Sequence, residues 1–203
     1  MQWGDNLLIS VQKIYNDNMT HKIIPFGRIQ QIENIAIKKM GTYSWEKINQ
    51  VEMLNGIIER EGLKLREADL KDISWVLYKD KEGQWTILVN QEDSDRRKVF
   101  TIAHELGHYF LHAQDDKEFI DGALINSFNR DEVNKYQIQE LEANEFAGSL
   151  IMPRVVIEEI LWQPKQVWAI DEVKIIALAD KLKVSPQAMA TRLKNLNYEL
   201  WLR

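Results

Sequence analysis

Cysteine is absent from this sequence. No thiol nucleophile, disulfide or cysteine-based zinc site is available, so any metal must be held by histidine, aspartate or glutamate. Histidine itself is scarce, at 4 in 203 residues. No apolar run approaches the roughly 18 residues that mark a membrane span. The opening MQWGDNLLIS lacks the basic stretch and apolar run of a secretory signal. An excess of basic charge is missing too. Net charge is −5 and the pI about 5.5, which makes the chain as a whole a poor partner for nucleic acid. Together these absences predict a cytoplasmic protein with no membrane partner.

What is present suffices for a core. The chain is 45% hydrophobic and 28% charged, an ordinary balance for a globular protein. Its length suits one medium domain, or a domain with a small appendage. Repeats and low-complexity segments are lacking. Ile29, Ile32, Ala36, Ile37 and Met40 recur at helical spacing up to Gly41. Ser44 is placed to cap a second helix through Ile48, Val51, Met53, Leu54, Ile57 and Ile58, ending by Gly62. ISWVLY (73–78) and QWTILV (84–89) flank KDKEG and read as a hairpin. Helical patterns follow from about Arg97 to Ala113 and from Val133 to Met152, where Pro153 ends the second. Residues 154–203 read as all-helical, so the chain is α+β, with a seam expected near 164–171.

The scarce histidines are concentrated. FTIAHELGHYFLH (100–112) holds three of the four. His104-Glu105-Leu106-Gly107-His108 is an HExxH pattern. On a helix, side chains four apart lie one above the other, so both imidazoles can converge on one Zn²⁺. Zinc lowers the pKa of a bound water toward about 7. Glu105, about 100° round from His104, flanks that position as the base for its proton. The competing reading is two structural histidines beside a salt-bridging glutamate. Phe100, Ile102, Ala103, Leu106 and Leu111 argue against it, because they mark a buried helix where unpaired imidazoles are costly. His112 sits a further ~6 Å along an unbroken helix. It is expected to support or cap the site rather than ligate.

A third ligand must then come from elsewhere. QELEANEFAGSLIMP (139–153) places Glu140 and Asn144 four apart on one face. Glu140 suits ligation, with Asn144 hydrogen-bonding a ligating histidine. Glu142 lies about 200° from Glu140, so one helix cannot aim both at the metal. The residues alone leave the two glutamates as alternatives, beside the simpler reading that they form a solvated face.

The tail reads as helix, tight turn and a new helix, with Ser185 as cap and Pro186 at the first position. This is the rhythm of a helix-turn-helix. Residues 171–203 carry six Lys/Arg against four acids, a thin surplus for phosphate binding. Gln187, Thr191 and Lys194 are the residues placed to read bases. A packing or partner-docking bundle is the favoured reading, and DNA binding is not expected.

RRKVFTIAHELGHYFLH (96–112), ILVNQED (87–93) and ELEANEFAGSLIMP (140–153) together resemble the ImmA/IrrE family of metallopeptidases, with a looser likeness in LADKLKVSPQAMATRLKNL (178–196). The likeness covers about residues 44–194. It implies a zincin-like metallopeptidase core with a small β-sheet and an active-site helix, plus a helix-turn-helix-like C-terminal subdomain. The corresponding division is a helical extension at 1–43, the core at 44–163 and the subdomain at 164–203. It also implies Zn²⁺ held by His104, His108 and, as the Glu of an E-x-x-[AC]-N pattern, Glu140, with Glu105 as general base. Trp75 departs from the small residue common at that place. The implied activity is selective cytoplasmic cleavage of a regulatory protein, such as a helix-turn-helix repressor. The alternative is a non-proteolytic regulatory protein or toxin–antitoxin partner that binds a repressor or DNA through its C-terminal helices. Intact Glu105 favours the enzyme, since a purely structural zinc has no need of it. Substrate is expected to add as a strand beside 73–89, with Trp75 or Trp85 near the rim. DGALINSFNRDEVN (121–134) suits a cover over the site.

Overall fold

The computed structural model describes residues 23–41, 49–71, 73–113, 119–120, 130–161 and 169–201. In chain order these form α1 (Phe26–Met40), α2 (Gln50–Arg60), β1 (Lys64–Ala68), β2 (Trp75–Lys79), β3 (Trp85–Asn90), α3 (Asp95–His112), β4 (Phe119–Ile120), α4 (Arg130–Ile151), α5 (Arg154–Leu161), β5 (Ala169–Asp171), α6 (Glu172–Lys181), α7 (Pro186–Asn195) and β6 (Glu199–Trp201). None of these helices is long and apolar enough to cross a membrane. The architecture is α+β, with α3 at the centre between a four-stranded sheet and α4.

The stripe on α1 buries Ile29, Ile32, Ala36 and Met40, while Ile37 turns outward. The expected cap Ser44 lies outside the described residues. Described α2 instead carries Asn49 at its N-cap, whose side chain accepts from the backbone N–H groups of Val51 and Glu52. Met53, Leu54, Ile57 and Ile58 are buried as their spacing requires. The chain then leaves α2 through Gly62, at φ +68°, a left-handed backbone that glycine adopts without strain.

The hairpin forms as read, with Trp75 opposite Val89 and Lys79 opposite Trp85. Its surroundings were not expected. β1 joins β3 in parallel register and β4 joins β2, giving the order β1-β3-β2-β4. Neither hairpin strand is therefore the open edge expected to receive substrate; among the described strands the edges are β1 and β4. β1, with the sequence KLREA, escapes pattern reading because its side chains are charged and largely exposed. Charges on an edge strand also discourage pairing with another chain.

α3 starts two residues earlier than its apolar pattern, and Met152 and Pro153 end α4 as expected. Of the stretch expected to cover the site, residues 121–129 lie outside the described residues. Residues 130–134 belong to the start of α4.

The tail departs from all-helical. β5 and β6 pair in parallel, with Ile170 opposite Leu200, and tie together the two ends of the α6–α7 pair. Within that pair the helix-turn-helix rhythm holds. Ser185 Oγ accepts from Ala188 N and Pro186 stands at the first position of α7. Of the three residues placed to read bases, Lys194 is turned inward. Lys194 is only 9% exposed and Arg192 2%, because α7 packs its basic side chains inward. Arg192 Nη1 lies 2.5 Å from Glu145 Oε1, its Nη2 3.2 Å from Glu33 Oε1, and its Nε donates to Met152 O at 3.0 Å. Asn195 Nδ2 donates to Glu145 Oε2. One guanidinium thus joins α7 to α1 and α4.

Removing one partner from a buried ion network leaves the remaining charges desolvated, at a cost of about 3–5 kcal/mol. Arg192→Ala is therefore expected to lower the urea unfolding free energy by several kcal/mol. A change under about 1 kcal/mol, within the range of surface pairs, would contradict the clamp.

Candidate metal centre

α3 presents one face to the sheet and another to α4. The approach to α4 is close because position 107 has no side chain. A Cβ there would lie 2.9 Å from Ala143 Cα, 3.0 Å from Ala143 O and 3.2 Å from Phe146 Cβ. With the backbones this near, short side chains from both helices meet.

Three of them meet at one point. His104 Nε2 and His108 Nε2 are 3.0 Å apart, and the Glu140 carboxylate lies 3.3 Å from the first and 3.0 Å from the second. At metal bonds of 2.0–2.1 Å a tetrahedral ion holds its ligand atoms about 3.3 Å apart. The triangle of side chains therefore has about the size of one tetrahedral face, with a different Glu140 oxygen facing each histidine. Its composition, two imidazoles and a carboxylate, matches that of open catalytic zinc sites. The Glu140 side chain is 25% exposed whereas those of His104 and His108 are nearly or wholly enclosed, so the triangle opens to solvent on its α4 side.

The tautomer of His104 follows from its other nitrogen. Nδ1 faces Asn144 Oδ1 at 3.1 Å. An amide oxygen only accepts, so the proton sits on Nδ1 and the Nε2 lone pair points into the triangle. Asn144 thus occupies the orienting position that its spacing from Glu140 suggested.

Glu105 is 0% exposed, with Oε1 4.0 Å from His104 Nε2. It lies beside the triangle rather than in it. His112 lies outside as well, with its ring 5.8 Å from that of His108 and Nε2 3.6 Å from Glu142 Oε2. Glu142 turns away from His104 and His108 and binds Arg28 through two bonds of 2.6 and 2.7 Å. Neither Glu142 nor Glu145 belongs to a solvated face; both are buried. Arg28 is a residue that sequence reading missed. It stands 114 positions from its partner, and nothing in its neighbourhood marks it.

Electrostatics favour a ligating state. Burial pulls His108 down to about 4, against the opposing hydrogen bond of Glu140. Burial also lowers His112. For Glu140, burial pushes upward, but the pull of the adjacent His104 and His108 outweighs it and holds the carboxyl well below the usual range. At neutral pH the cluster therefore presents neutral His108 beside ionised Glu140, the protonation that metal binding needs.

A stability consequence follows for the metal-free protein. An unfolded histidine takes up its proton near 6.5, whereas folded His108 does so only near 4. Between those values the unfolded state binds more protons, so stability falls as pH is lowered through the window. Urea unfolding of chelator-treated protein should show a loss of roughly 1 kcal/mol per pH unit from about 6.5 to 4. His108→Gln should reduce the slope, leaving the share that buried His112 contributes. A flat wild-type profile would mean that the imidazole is not desolvated.

Residues 58–194 match the IrrE N-terminal-like domain, peptidase family M78. An uncharacterized immunity region protein 2 of Bacillus phage phi105 is 32% identical over 80 residues, which cover 39% of this chain and 45% of the phage protein. The chain thus spans less than half the length of that relative. The family match runs across the HExxH helix, the Glu140 helix and both tail helices, and the α+β fold agrees with a zincin-like domain; the chain belongs to the IrrE N-terminal-like, M78 peptidase family.

Proposed function

We propose that this protein is a zinc-dependent endopeptidase that selectively cuts a regulatory protein, with a helix-turn-helix repressor as the substrate class. The family is one of metallopeptidases. The observation that carries the reading is the triangle of His104, His108 and Glu140 atoms at 3.0–3.3 Å with the Glu105 carboxylate beside it. Support for the substrate class comes from the phage relative, whose name places it in an immunity region.

In this reading His104 and His108 supply Nε2 and Glu140 a carboxylate oxygen to the ion. Bound Zn²⁺ would supply Lewis acidity toward a carbonyl and acidify a water. Glu105 takes a proton from the attacking water on its carboxylate and passes it to the departing amine. Its complete enclosure keeps bulk water from competing for that proton. Asn144 holds the His104 ring and tautomer while this happens.

Glu105→Gln removes the base and keeps the triangle. It should lower peptide cleavage by about 10²–10⁴-fold with zinc stoichiometry unchanged by elemental analysis. His104→Ala should lose the metal, and Glu142→Ala should keep it. A Glu105→Gln protein that retains full biological function would replace the enzyme reading with that of a binding protein.

Selectivity is tested separately. The zinc-loaded chain is expected to leave casein intact while cutting its cognate repressor. Rapid casein cleavage abolished by chelation would keep the metal reading and remove selectivity.

A further inference from the structure

We propose that Trp75 is a positioning residue of this centre, one indole holding both ligating imidazoles in place; the proposal rests on the metal reading above. Its ring lies 5.2 Å from that of His104 and 5.6 Å from that of His108. It is 6% exposed, so the indole is buried against the two histidines.

The placement of this indole is rigid. Trp75 opens β2, which pairs with β3 on one side and β4 on the other. The backbone just before it is pinned twice. Asn90 donates from its backbone N–H to Ser74 O and from its side chain to Ile73 O, and the Arg97 guanidinium donates to Ser74 Oγ at 2.7 Å. Arg97 belongs to the first turns of α3, so the strand carrying the indole and the helix carrying the imidazoles are tied directly.

The contacts divide the task. His104 has Phe100 stacked on it at 6.5 Å and 30°, Trp75 on another side and Asn144 at Nδ1. His108 has Trp75 and His112. Trp75 has ring contacts with both ligands. A histidine has two rotatable bonds, and convergence of two rings on one ion needs both fixed. A large flat side chain against both rings restricts those rotations and keeps water from the imidazole faces. A dry, well-packed shell strengthens ligation, and loss of an outer partner typically weakens metal binding about 10–100-fold. A small residue at 75 would leave this work undone.

The test measures metal rather than activity. Zinc affinity is determined by chelator competition for wild type, Trp75→Leu, Trp75→Phe and Leu77→Ala. Leu77 is the control, a wholly buried neighbour on the same strand and face. Trp75→Leu is expected to bind zinc about 10–100-fold more weakly and to broaden the visible bands of the Co²⁺-substituted protein. Trp75→Phe should recover most of the affinity, and Leu77→Ala should lose stability without the spectral change. Co²⁺ should also quench the tryptophan emission that Trp75→Phe removes. Unchanged zinc affinity in Trp75→Leu, or equal spectral broadening in Leu77→Ala, would overturn the positioning role. Failure of wild type to bind zinc at all would sink the metal reading and this proposal with it, a result distinct from either.

Discussion

The distance between α3 and α4 at Gly107 and Ala143 governs what the rest of this molecule can do. Any side chain at 107 would meet α4 backbone at about 3 Å. With hydrogen there instead, His104 and His108 on one helix reach Glu140 and Asn144 on the other through single contacts of 3.0–3.3 Å. Side chains as short as Asn and Glu close that gap only when the helices nearly touch. Core packing and site chemistry are therefore one constraint, because interiors pack too densely to allow a sliding adjustment.

α4 distributes its acids accordingly. In ELEANE each glutamate faces a different partner: Glu140 the histidines, Glu142 Arg28 of α1, and Glu145 Arg192 of α7. Helical geometry requires the dispersion, since positions two and five apart point in different directions. Each buried carboxylate needs its own counter-charge, and those counter-charges come from opposite ends of the chain. α1 and the tail are thereby fastened to the helix that contributes Glu140 to the candidate metal centre. Arg192 of α7 is committed to that fastening, which explains why a helix-turn-helix rhythm coexists with an inward-facing guanidinium.

The sheet supplies a floor. β2 lies between β3 and β4, and its inward side chains Trp75 and Leu77 point at α3. A strand held on both sides makes a stiffer support than an edge strand. Here it carries the indole that packs against both imidazoles.

The HExxH spacing, the Glu140–Asn144 spacing, the hairpin, the Ser185–Pro186 start of α7 and the α1 stripe were all legible in the sequence by itself. Each is a local relation, set by helical or strand periodicity or by capping within a few residues. What only the tertiary structure decided are relations between distant residues. Pairing of β1 with β3 and of β5 with β6 depends on backbone edges that no side-chain pattern announces. The choice of Glu140 over Glu142 as neighbour to the histidines required the rotation of α4 about its axis, which Gly107 and Ala143 set. The pairings of Arg28 with Glu142 and Arg192 with Glu145 span 114 and 47 residues. Trp75 was visible as an unusual residue, but its contact with the imidazoles exists only once the sheet is laid against α3. Local spacing determines which side chains share a face; packing determines what that face meets.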